Sequence, residues 1–254
     1  MARRIRMLAF AVLLAGPRAA NAQTGDCCSP HPETGCETSS CQACVCGIDS
    51  FCCTNQWDRG CTEEAEVQCL SSCPACLTCA ATPETGCRGP TVPDKALLVI
   101  KDRSPDTKDT LVWKWLKGAA TSLADFGDPL TNTTYQLCVY DQSGGGTLVL
   151  SATAPNGGVC AGAPCWKQTG SGFKYKDKDL SPNGILGVVL KAGDDGKAKI
   201  MVKGKSGNLG LPPTLSLTQP VTVQIKNNAG ICWQATYSAP ALVDQPDQFK
   251  DKSD

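Results

Sequence analysis

The stretch Lys197-Ala198-Lys199-Ile200-Met201-Val202-Lys203-Gly204-Lys205 sets lysines at 197, 199, 203 and 205 against Ala198, Ile200 and Val202 between them. Side chains along a β-strand alternate between two faces, so this pattern describes a half-buried strand with a solvated basic face. Working outward, similar short runs rich in β-branched and aromatic residues occupy 96–100, 110–116, 134–140, 147–152, 172–175, 221–226 and 231–237. They are separated by clusters of Gly, Pro, Asn and Asp, and residues 184–192 read equally as strand or helix. Eight or nine strands at this spacing predict an all-β sandwich or barrel-like domain over 96–254. A domain of about 160 residues can bury a hydrophobic core, so its four cysteines suffice.

The preceding residues differ in kind. Fourteen of the eighteen cysteines fall between Cys27 and Cys87. Residues 1–22 read as a signal peptide: Arg3, Arg4 and Arg6 form a basic start, 7–14 an apolar run too short to span a bilayer, and Ala20-Asn21-Ala22 a cleavage site. Residues 23–79 then form a small disulfide-rich module with short helices, because a segment of this size buries too little apolar surface to fold unaided. Trp57, Cys61, Ala65 and Cys69 recur every fourth residue and predict a helix over 57–70, with Asn55 as its N-cap. Residues 40–47 suggest another helical turn and 49–54 a tight connection, while the Pro- and Gly-containing 80–95 reads as a linker.

Export favours disulfides over zinc, although Cys41/Cys44 and Cys73/Cys76 have ligand-like spacing. Eighteen cysteines permit nine bridges. Pairing within 27–87 stays open at this point. Downstream, Cys160 and Cys165 flank a short loop they can close, and Cys138 and Cys232 are expected to pair across the fold. An internal echo, Pro32-Glu33-Thr34-Gly35-Cys36 and Pro83-Glu84-Thr85-Gly86-Cys87, suggests a partial duplication.

The run Asp26-Cys27-Cys28, Gly35-Cys36, Cys41, Val45-Cys46, Asp49-Ser50-Phe51-Cys52-Cys53, Trp57-Asp58 and Cys61 resembles a cysteine-rich module of secreted proteins of environmental bacteria, often found beside adhesive or enzymatic domains. Residues 113–118, 125–129, 137–141, 173–179 and 249–252 resemble a C-terminal domain of uncharacterised secreted bacterial proteins. The resemblance implies an extracellular location and an all-β domain, and no reaction. Cys27-Cys28-Ser29-Pro30-His31 mimics the Cys-Cys-x-x-His segment of secreted phospholipases A2, but Pro32 stands where that family has aspartate, so His31 is expected in an exposed loop.

Charge divides the chain too. Residues 23–93 carry nine acidic side chains against Arg59 and Arg88, a net of −7, whereas 94–254 carry eighteen basic side chains against fifteen aspartates, a net of +3. This balance argues against nucleic-acid binding. Trp113 and Trp115 share one strand face, as a sugar-stacking platform would, but Leu111 shares it too and favours a place in the core. Lys197, Lys199 and Lys203, with the cluster 174–178, offer a basic face for anionic polysaccharide or lipid headgroups, with an ordinary wet surface as the simpler reading. Asp177, Asp179, Asp194 and Asp195 are candidate ligands of a calcium site, though Pro182 and Val188 break the EF-hand pattern.

Gly204-Lys205-Ser206 ends like a phosphate-binding loop, but Lys199 stands where its first glycine belongs. Histidine is absent after His31 and glutamate after Glu84, so nucleophile–base pairs are missing and any carboxylate pair of the β domain must be aspartates. The expectation is a non-catalytic secreted binding or surface-association protein, without a cofactor, that recognises an extracellular polysaccharide or envelope component. An aspartate-dependent polysaccharide hydrolase and a purely structural envelope protein are the competing expectations.

Overall fold

The computed structural model describes residues 25, 27–28, 30–69, 72–73, 76 and 78–254; the signal peptide expected over 1–22 lies outside them. The cysteine-rich unit contains three short helices, α1 (Ser39–Ile48), α2 (Phe51–Thr54) and α3 (Arg59–Val67). Six disulfides hold it: Cys27–Cys36, Cys28–Cys76, Cys41–Cys73, Cys44–Cys69, Cys46–Cys53 and Cys52–Cys61. Trp57, Cys61, Ala65 and Cys69 are fully buried, but α3 is shorter than the expected 57–70 and leaves Trp57 before its N-cap and Cys69 beyond its C-cap. The cap of α3 is Asp58 and not Asn55: its carboxylate accepts from the Cys61 N–H at 3.2 Å, three residues on, a bond Asn55 is too far upstream to make. The expected tight connection at 49–54 includes the single turn α2. His31 is not an exposed loop residue; it lies flat against Trp57, ring centroids 6.1 Å apart, and its backbone bridges to Trp57.

The β domain packs two antiparallel sheets around one core. Its strands are β1 (Ala96–Lys101), β2 (Thr110–Gly118), β3 (Tyr135–Asp141), β4 (Thr147–Ala154), β5 (Val159–Cys160), β6 (Ala163–Pro164), β7 (Trp166–Thr169), β8 (Gly172–Lys176), β9 (Ile185–Lys191), β10 (Ala198–Lys205), β11 (Val221–Asn227), β12 (Cys232–Tyr237), β13 (Val243–Gln245) and β14 (Gln248–Lys252). The large sheet has eight strands in the order β13-β14-β1-β2-β10-β9-β8-β7, and the small one four, β12-β11-β3-β4. Of the expected alternatives, the sandwich forms, since neither sheet closes into a barrel. Residues 184–192 resolve as strand β9 because they pair with both β8 and β10.

The core is aromatic where the sheets meet. Phe126, Trp233, Tyr135, Trp166 and Tyr175 follow one another with ring centroids 5.0–6.4 Å apart, within the range favourable for offset and tilted rings.

Every residue of β3 is buried, including Gln136, Cys138 and Tyr140, which point away from the core. The stretch expected as a linker accounts for this, since residues 79–91 run as a strap bonded to the β domain. Cys79 is bridged to Cys138 and Cys87 to Cys232. The Glu84 N–H donates to Gln224 Oε1 at 3.0 Å, and Lys226 pairs with the Glu84 carboxylate. The expected Cys138–Cys232 bridge does not form. Cys138 lies on β3 and Cys232 on β12, with β11 between them, so two interstrand spacings of about 4.8 Å separate them and exceed the reach of a disulfide. The Cys160–Cys165 bridge forms as expected.

The two halves of the internal echo share a left-handed glycine. Gly35 and Gly86 each adopt a positive φ, at 70° and 79°, but Cys36 stays within the cysteine-rich unit while Cys87 reaches into the β domain. Within the strap Arg88 Nη2 donates to Asp125 Oδ1 at 3.0 Å, and Nη1 lies 2.9 Å from Oδ2 as an ion pair. The Arg88 guanidinium, outweighing the effect of burial, holds the Asp125 carboxyl down to about 2.

Two outcomes follow for the strap. Peptide mapping under non-reducing conditions should recover Cys79–Cys138 and Cys87–Cys232 and no Cys138–Cys232 peptide; the double variant C87A/C232A should lose about 2–5 kcal/mol of stability in denaturant titration. Because the folded-state value of Asp125 lies below the unfolded one of about 3.9, its contribution is present above pH 4 and is lost as pH falls towards 2. The Asp125→Asn variant should therefore be less stable than wild type by on the order of 1–2 kcal/mol at neutral pH, with the gap closing between pH 4 and 2.

Candidate functional site

Trp113 and Trp115 do not form an exposed platform. Both are fully buried, facing inward from β2 with Leu111; Trp113 Nε1 donates to the Tyr237 hydroxyl at 2.9 Å and Trp115 Nε1 to the Gln234 carbonyl at 2.9 Å, both on the small sheet. A Cβ at Gly118 would collide with the Trp115 ring, so the glycine makes room for the indole. The sharing of a face with Leu111 was the signal that placed them here.

The opposite face of the large sheet carries the lysines. Register sets them in rows. One row runs Lys252, Leu97, Lys114, Met201, Val189, Lys174 and Lys167 across seven strands. The next runs Lys250, Val99, Val112, Lys203, Gly187 and Lys176. Lys101 and Lys205 flank Thr110 in a third, and Lys199 pairs with Lys191 in a fourth. Eleven lysines thus point outward, and none of the eight strands places an aspartate or glutamate on that face. None of the eleven has an ion-pair partner among the described residues. The apolar residues between them are only half-buried, the setting in which lysine stems cover apolar surface while their ammonium groups stay in water. Of the residues expected to bind, Lys199 and Lys203 lie on this face, whereas Lys197 precedes β10 and pairs with Asp194 at 3.1 Å.

Two depressions interrupt the face. The larger, about 730 Å³, is bordered by Lys167, Lys174, Lys176, Lys178 and Lys203 and walled by the loop that Cys160–Cys165 closes. Its floor holds Gly187 and Val189 on β9. The second, about 460 Å³, is bordered by Lys95, Lys117, Lys191, Lys197 and Lys199 with Leu116 and Gly196. No carboxylate lines either.

The four expected calcium ligands are not brought together. Asp177 and Asp179 follow β8 where it pairs towards Gly187, while Asp194 and Asp195 follow β9 beyond Lys191, opposite Gly172. The length of β8, about 14 Å from Gly172 to Lys176 at 3.4 Å per residue, separates the pairs. Asp177 is buried and accepts from the N–H groups of Asp179 and Ser181 at 2.7 and 2.9 Å, holding the turn; Asp179 accepts from Ala161 N–H at 2.6 Å. Other aspartates do similar work: Asp141 accepts from Ser143 and Thr218, and Asp251 from Gln219. Among the described residues two triads, Cys27/Cys36/Cys41 and Asp49/Cys52/Glu64, lie close enough to hold a metal, but every cysteine in them is in a disulfide and has no thiolate to offer.

Nine disulfides and no free cysteine fit a protein of an oxidising compartment, and no helix among the described residues is long and apolar enough to cross a membrane. No family model matches the chain, and neither a curated protein nor a solved structure matches it.

The two sets of candidate residues should respond oppositely to truncation. Trp113→Ala should cost about 3–5 kcal/mol in denaturant titration, as an emptied core site does, whereas Lys203→Ala should change stability by no more than about 0.5 kcal/mol.

Proposed function

We propose that this is a non-catalytic secreted protein that associates with an anionic extracellular polymer through the outward face of its large sheet. The observation that carries the reading is the run of eleven outward lysines with no outward carboxylate. Lys167 and Lys174, and Lys191 and Lys199, face each other on neighbouring strands about 4.8 Å apart, and Lys174/Lys176, Lys203/Lys205 and Lys250/Lys252 follow at about 6.8 Å along one strand, so the face is basic although the whole chain is formally neutral. Lysine is a compact, hydrated point charge with rotatable donors, suited to following repeated anionic groups without fixed geometry. The face exposes no aromatic side chain on which unpaired bases would stack, which favours a saccharide polymer over single-stranded nucleic acid. The disulfide density supports export, and with it an envelope or environmental polymer as partner.

Co-sedimentation of residues 23–254 with insoluble pectate should show binding at 20 mM salt that falls steeply by 500 mM, as screening of exposed charges requires. The double charge reversal K114E/K203E should weaken binding at low salt by at least about tenfold, or about 1.4 kcal/mol, with an unchanged melting temperature. Binding indifferent to both salt and charge reversal would overturn the reading.

A further inference from the structure

Resting on that reading, we propose that the two depressions are paired subsites for one linear acidic polysaccharide lying along β9 and β10. Lys174, Lys176 and Lys203 take its acidic groups at one end, and Lys191 and Lys199 at the other. From Lys199 to Lys203 is four residues of β10, about 14 Å, so the subsites stand several sugar rings apart on one straight path. Between them Met201 pairs with Val189, a half-buried apolar pair that presents C–H surface to the C–H faces of sugar rings. At the far end Gly187 sits in register between Lys176 and Lys203 and leaves the floor without a side chain there. The disulfide-closed loop stands as a wall beside this subsite. Two lysine-bordered depressions with no carboxylate in either lining suit a chain better than a bilayer, which is bound best by protruding apolar side chains.

Calorimetric titration of residues 23–254 with size-graded oligogalacturonates tests this, with size-graded heparin oligosaccharides as a second arm that separates carboxylate from sulfate as the preferred acidic group. Oligomers long enough to reach both depressions should bind at least about tenfold more tightly than those that fill one, because the second contact becomes intramolecular. The variants K174Q/K176Q and K191Q/K199Q should each reduce the long oligomer to the affinity of the short one, and K250Q/K252Q, on the other side of the same face, should leave that length dependence intact. Affinity independent of length, or K250Q/K252Q removing the length dependence, would overturn the paired subsites while leaving the polymer-binding face standing. Tighter binding to phosphatidylglycerol vesicles than to any oligosaccharide would overturn them in favour of a lipid surface. No binding to either polysaccharide series would end both readings.

Discussion

The rest of the β domain depends on which way β2 turns its two indoles. Side chains in a strand alternate with a period of two, so burying Trp113 and Trp115 sends Val112, Lys114 and Leu116 to the other face with no freedom left. The indoles are fixed by hydrogen bonds to Tyr237 and Gln234 on the facing sheet, and antiparallel pairing carries the same parity sideways through β1, β10, β9 and β8. A one-residue slip of β2 would bury Lys114 and expose both tryptophans. The hydrophobic demand of one face therefore produces the basic character of the other.

The two sheets treat their outer faces differently. On the small sheet the strap is bridged to Cys138, and Lys226 finds Glu84, so a cation there is neutralised. On the large sheet nothing comparable lies over the lysines among the described residues. The acidic surplus of the N-terminal part is thus placed in two ways: Glu84 is used in the strap, and the other acidic residues belong to the cysteine-rich unit.

Much of this was legible in the sequence, for reasons that can be named. The alternation along 198–205 is clean because β10 is central and half-solvated, and the reading as a strand holds from Ala198 to Lys205, with Lys197 just before it. Cys61 and Ala65, with Trp57 and Cys69 just beyond the helix ends, revealed α3 because buried positions there repeat every fourth residue. What sequence could not disclose was partnership across distance. Residues 80–95 have the composition of a linker, and only the placement of Cys79 and Cys87 beside outward-facing Cys138 and Cys232 makes them a strap. The lysine face was half visible, since Lys199 and Lys203 stood out locally, but Lys114, Lys250 and Lys252 join it only through strand order, which no local pattern encodes. Grouping the four aspartates failed for the same reason, as residues near in sequence sit at opposite ends of a hairpin.

Cys76 and Cys79 are three residues apart, so the cysteine-rich unit and the β domain are joined by at most about 10 Å of chain between two disulfide anchors. A pull on the cysteine-rich unit is delivered through Cys79 into Cys138, in the middle of β3, and β3 is an interior strand bonded to both β11 and β4. Tension is then shared by two hydrogen-bond ladders along their length, instead of unzipping an edge strand one bond at a time. The strap thus fastens the cysteine-rich unit to an interior strand of the sandwich and not to an edge.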